Sequence, residues 1–134
     1  MREERPYRLL RQGNLLLLRA AVGGRDGSIV VVRLLVDTGA SYTILPVEVV
    51  EALGYDTHHP LRSIRIVAAN GIIVAPMVVV SGFHCLGQRI EDFPVVAHTL
   101  PAGTFVDGLL GVDFLSRCQA VITVGEAEIR CRQP

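Results

Sequence analysis

The chain has 134 residues, half of them apolar, which suits one domain with one core and is short for two. Its thirteen basic residues are all arginine and are balanced by thirteen acidic ones, so no net positive field draws it to nucleic acid or to an anionic membrane. Aromatic residues are scarce at 5%, Trp is absent, and Val, Ile and Leu abound, a composition that favours a β-rich core needing no metal or disulfide staple.

Residues Met1 to Gln12 (MREERPYRLLRQ) are charged, carry a proline and lack a clean period. They read as an exposed or partner-dependent N-terminal arm, residues 1–12, ahead of a single domain over residues 13–134. The apolar run Asn14 to Val22, the glycine-rich loop Gly23 to Gly27 and the run Ser28 to Val36 form a predicted hairpin. Its second strand is apolar at nearly every position except Arg33, which predicts burial on both faces, and it ends abruptly in Asp37-Thr38-Gly39-Ala40. Tyr42 to Leu45 suits a short strand. Pro46 at a first helical position and Gly54 at a stop then bracket one or two helical turns.

Arg62 to Ala69 and Ile72 to Val80 are extended runs joined by Asn70-Gly71, a dipeptide that supplies the positive φ values of a type I′ turn. Pro76 cannot donate to a ladder, so part of this hairpin should project from the sheet or lie at its edge. Gln88 to His98 reads as a strand and Pro101 to Asp107 as a loop. Leu109 to Arg117 leads into a helix, capped by Asp113 or begun just before it. Ala120 to Val124 and Ala127 to Arg132 close the chain as a hairpin around Gly125-Glu126. The apolar runs Leu15 to Leu18 and Ile64 to Phe83 are too short or too interrupted to span a membrane.

Three cysteines, Cys85, Cys118 and Cys131, are an odd count without CxxC spacing. They read as free thiols in a reducing compartment, with a Cys118 to Cys131 bridge across the last hairpin as the alternative if the protein is exported. His58-His59 sits in a loop with Asp56 nearby, and no third ligand marks a metal site. Ser41 lacks the flanking G-x-S-x-G of a serine hydrolase.

The informative segment is Leu35-Val36-Asp37-Thr38-Gly39-Ala40, where a carboxylate follows an apolar strand directly and precedes a glycine turn. A carboxylate so placed needs hydrogen-bond partners, which Thr38 and the turn amides offer; it could equally do no more than cap an Asx-turn. With Asn70-Gly71 about thirty residues on and Leu109-Leu110-Gly111-Val112-Asp113-Phe114-Leu115 near the end, the chain resembles the retroviral-like, or retropepsin-type, aspartic proteases, above all their cellular and bacterial members.

The resemblance implies an all-β, retropepsin-like closed barrel with one short C-terminal helix, and a cytoplasmic endopeptidase that uses neither metal nor cofactor. Peptide hydrolysis of this kind uses two carboxylates that share one proton and hold a water between them. The chain carries a single Asp-Thr-Gly, so the implied enzyme is a homodimer with Asp37 from each protomer at the two-fold axis. Thr38, Gly39 and Ala40 would support the site. Asn70, Gly71 and Ile72 would form a flap over an extended polypeptide substrate, with Val74 and Pro76 among the apolar groups beside it. Ala40 stands where pepsin-like enzymes usually have Ser, and the loss of that hydroxyl implies activity nearer neutral pH. For Asp113, helix capping is the expected role. The rival to an enzyme is a non-catalytic dimeric peptide-binding or dimerisation module of the same fold.

Overall fold

The computed structural model describes residues 5–68 and 71–132. Its strands are β1 (Pro6–Arg8), β2 (Leu10–Gln12), β3 (Leu15–Gly23), β4 (Ile29–Val36), β5 (Ile44–Leu45), β6 (Arg62–Ala68), β7 (Gly71–Cys85), β8 (Gln88–Ala97), β9 (Gly108–Leu110), β10 (Ala120–Thr123) and β11 (Glu128–Cys131). Two six-residue helices, α1 (Val47–Ala52) and α2 (Val112–Arg117), complete it, and no helix among the described residues is long and apolar enough to cross a membrane.

Six of these strands close on themselves. The order β3-β4-β9-β5-β8-β7 returns to β3 through the pairs Ala21↔His84, Val22↔Phe83 and Gly23↔Gly82. The ring closes through the short strands β9 and β5, and the alternation of Val32 and Leu34 on β4, or Val78 and Val80 on β7, fills its interior. At its centre Phe83, Phe93 and Phe114 pack with centroids 4.9, 5.6 and 6.3 Å apart, so α2, which carries Phe114, plugs the barrel.

Several expectations hold and several need correction. The hairpin of β3 and β4 forms around the glycine loop, and Gly54, at φ +94°, ends α1 as expected. Pro46 is the extended residue that caps α1 rather than its first helical residue, and its carbonyl accepts the first intrahelical bond, from Val50. β4 is buried on one face only: Ile29 and Val31 are 69% and 61% exposed. An all-apolar strand signals two covered faces when helices flank a sheet, and among the described residues nothing covers Ile29 and Val31.

Of the predicted arm, residues 6–8 and 10–12 are paired into strands, and residues 1–4 lie outside the described residues. β1 pairs with β11 (Tyr7↔Ile129), β2 pairs with β3, and between them Leu9 is buried, its N–H bonded to the Ala127 carbonyl at 2.7 Å. Burial of one leucine and two short ladders outweigh the local run of charge. β1, β11 and β10 thereby make a separate three-stranded sheet from the two ends of the chain.

Candidate active site

Asp37 leaves β4 at a place where three strands converge. β9 runs parallel to β4, with Val36 opposite Leu110, and antiparallel to β5, with Leu109 opposite Ile44. It therefore threads between the strand that enters the Asp37 turn and the strand that leaves it. Gly108 and Gly111 make that threading possible. A β-carbon on Gly108 would collide with the Ile44 carbonyl oxygen, and one on Gly111 would come within 2.6 Å of the Tyr42 carbonyl and 2.8 Å of the Ala40 carbonyl.

The turn is stitched to this scaffold through its backbone. The Asp37 N–H donates to the Leu110 carbonyl at 3.0 Å, the Ala40 N–H to the Asp37 carbonyl at 3.2 Å, and the Val112 N–H to the Ala40 carbonyl at 2.8 Å. The Gly39 N–H donates to Asp37 Oδ1 at 2.9 Å, and no group among the described residues bonds the second carboxylate oxygen. Asp37 and Ala40 are half-buried; Thr38 and Gly39 are exposed, and the Thr38 hydroxyl has no hydrogen bond among the described residues. The structure thus presents a carboxylate at the surface end of a rigid turn, held by a backbone amide.

Asp113 is not the helix cap. Gly111 is the N-cap of α2 and gives no side-chain cap, while Asp113 lies in the first turn and reaches across to Thr43, just before β5. Its Oδ1 accepts from the Thr43 hydroxyl at 2.8 Å and from the Phe114 N–H at 2.8 Å; its Oδ2 accepts from the Thr43 N–H at 2.9 Å. The Thr43 hydroxyl in turn accepts from the Gly111 N–H at 3.2 Å. Thr43 is wholly buried, the one buried polar side chain among the described residues, and the sequence reading passed over it. A lone hydroxyl between Tyr42 and Ile44, heading into the core six residues after Asp37, was the available signal.

The β6–β7 hairpin rises from the same neighbourhood. Its base packs Ile64, Ala75 and Met77 with Ile44 of β5 and Val96 of β8, joined by Tyr42, Ile66 and Leu109, so the hairpin base and the strands flanking the Asp37 turn share one small apolar cluster. Beyond Met77↔Val96, where the β7–β8 ladder begins, β7 has only β6 as a partner, and the hairpin projects as Pro76 implied. The ladder closes at Ala68↔Gly71, so Gly71, at φ +140°, is a strand residue rather than half of the turn, and Asn70 lies outside the described residues. Gly71 and Ile72 are exposed at the far end of this ladder, and no hydrogen bond among the described residues joins them to the Asp37 turn. Ile72 and Val74 share a face with Val67 and Arg65, opposite the face of Ile64, Ile66, Ile73 and Ala75.

The other candidates behave as surface or core groups. His59 is exposed and bonds Asp56 Oδ2 at 2.6 Å, and this bond, with the His58 amide, holds the Asp56 carboxyl below its ordinary range. Among the described residues no set of His, Cys, Asp or Glu is grouped to hold a metal. A cavity of about 460 Å³ beside Tyr7, Leu17 and Leu86 and one of about 550 Å³ beside Tyr42, Met77 and Asp113 both lie off the Asp37 turn, whose residues line neither.

Comparison with known proteins agrees with this geometry. A solved structure of a retropepsin-like aspartic protease from Rickettsia conorii superposes with a TM-score of 0.69 at 21% identity, over 96% of this chain and 90% of that one, which establishes a common fold. No curated protein matches by sequence. The family profile described as aspartyl protease matches residues 18–114, from β3 through the Asp37 turn and the β6–β7 hairpin to Phe114 in α2. Most of the chain lies within that match, and the chain belongs to the aspartyl protease family.

Proposed function

We propose that this protein is an aspartic endopeptidase that works as a homodimer, with Asp37 of each protomer forming the catalytic pair. The observation that carries the reading is the Asp37 turn itself: one Asp-Thr-Gly carboxylate per chain, on a turn tied by backbone bonds to β9 and α2, with one oxygen bonded to Gly39 and the other without a partner among the described residues. One such group cannot both accept and donate a proton in a single step. Two of them about 3 Å apart share a proton, because like charges that close do not both ionise.

In that pair the ionised Asp37 takes a proton from water as the oxygen attacks the peptide carbonyl, and the protonated Asp37 donates to the carbonyl oxygen. Thr38, exposed beside the carboxylate, supports the contact between protomers, and Gly39 leaves the floor open to substrate. An extended polypeptide lies between this floor and the β6–β7 flap, with Gly71 and Ile72 near its backbone. Ala40 places no hydroxyl on the carboxylate, so activity is expected nearer neutral pH than in enzymes that carry Ser there.

Cleavage of casein or a peptide library by wild type and Asp37→Asn, with sedimentation at the assay concentration, tests the reading. The variant should lose at least about a thousandfold in kcat/KM and keep its Tm, and the wild type should sediment as a dimer. Cleavage that survives Asp37→Asn, or that belongs to a monomer, would end it.

A further inference from the structure

The three cysteines take no part in the proposed chemistry, and two of them are placed together. Cys118 is the C-cap of α2 and Cys131 ends β11, thirteen residues later. The strands between them fold back so that Ala120 lies opposite Cys131, and the Arg132 N–H bonds the Cys118 carbonyl at 2.9 Å. The two sulfurs are 2.7 Å apart; the Cys131 thiol donates to Cys118 Sγ, and the Cys118 thiol to the Leu115 carbonyl at 3.7 Å. Both residues are buried, and both are free thiols in this structure.

We propose that Cys118 and Cys131 are a disulfide-forming pair, closed by peroxide or another two-electron oxidant, that braces the last strand to α2. A disulfide needs its sulfurs at about 2.05 Å, so they must approach by roughly 0.7 Å, within reach of small rotations about the side-chain bonds. In the reaction one thiolate attacks a peroxide oxygen and becomes a sulfenic acid, and the second thiol then displaces water from that sulfur. Two thiols and one hydrogen peroxide give one disulfide and two waters, so the sulfurs are oxidised and the peroxide reduced.

The same burial that brings the sulfurs together slows the reaction. It pushes the Cys118 thiol up to about 12 and raises that of Cys131, so little nucleophilic thiolate exists near neutral pH. The pair is therefore a slow structural lock rather than a fast sensor. Once closed, it holds β11, the middle strand of the β1-β11-β10 sheet, and constrains the unfolded chain across the intervening hairpin. None of this depends on the protease reading.

The test treats the full-length reduced protein with hydrogen peroxide from pH 7 to pH 9, then counts thiols after denaturation and maps peptides without reductant. The expected result is a fall from three titratable thiols to one, a link between the Cys118 and Cys131 peptides, and a Tm about 5 °C higher. The rate should rise about tenfold per pH unit, as the thiolate fraction does well below the thiol pKa. Cys85→Ala should form the same link. Three thiols persisting at pH 9 in folded protein, a link through Cys85 or between chains, or a rate flat with pH would overturn the pairing or its thiolate route, and a bond formed without a rise in Tm would overturn the bracing role.

Discussion

The turn that carries Asp37 and the hairpin that carries Gly71 rest on one apolar cluster, yet different forces hold them. The turn is fixed by buried hydrogen bonds among Thr43, Asp113 and Gly111 and by backbone approaches too close for any side chain at Gly108 or Gly111. The hairpin beyond Met77 is fixed by a single two-stranded ladder, and it shows apolar groups to solvent, with Val67 81%, Val74 65% and Ile72 56% exposed. Under the proposed function, a carboxylate that must meet a second one needs a placement that does not drift, whereas a cover over a peptide needs low-cost opening. The contrast places tolerance to mutation in the β6–β7 hairpin rather than in the Asp37 turn and its supports.

The sharpest way to break that contrast is at the glycines. Gly108→Ala sets a β-carbon against the Ile44 carbonyl, a backbone atom that cannot swing aside. It should cost more than about 3 kcal/mol or prevent folding, seen as a lower urea midpoint or loss of soluble protein. Near-wild-type stability would mean that β9 does not thread as described. Thr43→Val comes next, because it leaves Asp113 Oδ1 and the Gly111 N–H short of a buried partner. A loss of about 2–3 kcal/mol is expected by urea denaturation, with most of it restored in Thr43→Ser.

Changes on the flap should read differently. Ile72→Ser and Val74→Ser remove exposed apolar groups on the face turned away from the Asp37 turn and should leave stability within about 0.5 kcal/mol and KM nearly unchanged, whereas Ile73→Ser, on the opposite face, should raise KM for a peptide substrate several-fold under the proposed function. Thermal melts alongside steady-state kinetics separate the two readouts, and a large fall in Tm would show the flap to be structural.

The smallest effect belongs to the surface carboxylates. Asp56 is held below its ordinary value of 3.8 by His59 and the His58 amide, and Asp26 by the Ser28 hydroxyl and amide. A lowered folded value means that their contribution is present above that ordinary value and is lost as pH falls through the lowered one. Asp56→Asn should therefore slightly flatten the acid limb of the Tm–pH curve and leave Tm at pH 7 nearly unchanged, since both groups are solvent-exposed.

Much of this was legible along the chain. The β3–β4 hairpin announced itself by two apolar runs around a glycine loop, and the Asp37 turn by a carboxylate placed where an apolar strand stops. Pro76 located the point where β7 leaves the sheet, since a missing N–H has a consequence any neighbour would feel. Less visible was the continuation of β7 to Cys85 and its turn at Leu86 and Gly87, with φ of 53° and 73°, because a leucine in the left-handed region carries no local signal. The role of Asp113 was misread for a related reason: its helix position suggests a cap, and its partner Thr43 lies seventy residues away.

What the order of residues determined by itself was the longer strands, the glycine loop between β3 and β4 and the carboxylate at the end of β4, all of which arise from contacts a few residues long. Closure of the barrel, the passage of β9 between β4 and β5, the docking of Leu9 and the ends of the chain, and the meeting of Cys118 with Cys131 were decided only by the fold. They depend on which distant backbones can approach once apolar area is buried, a balance that no local window of residues contains.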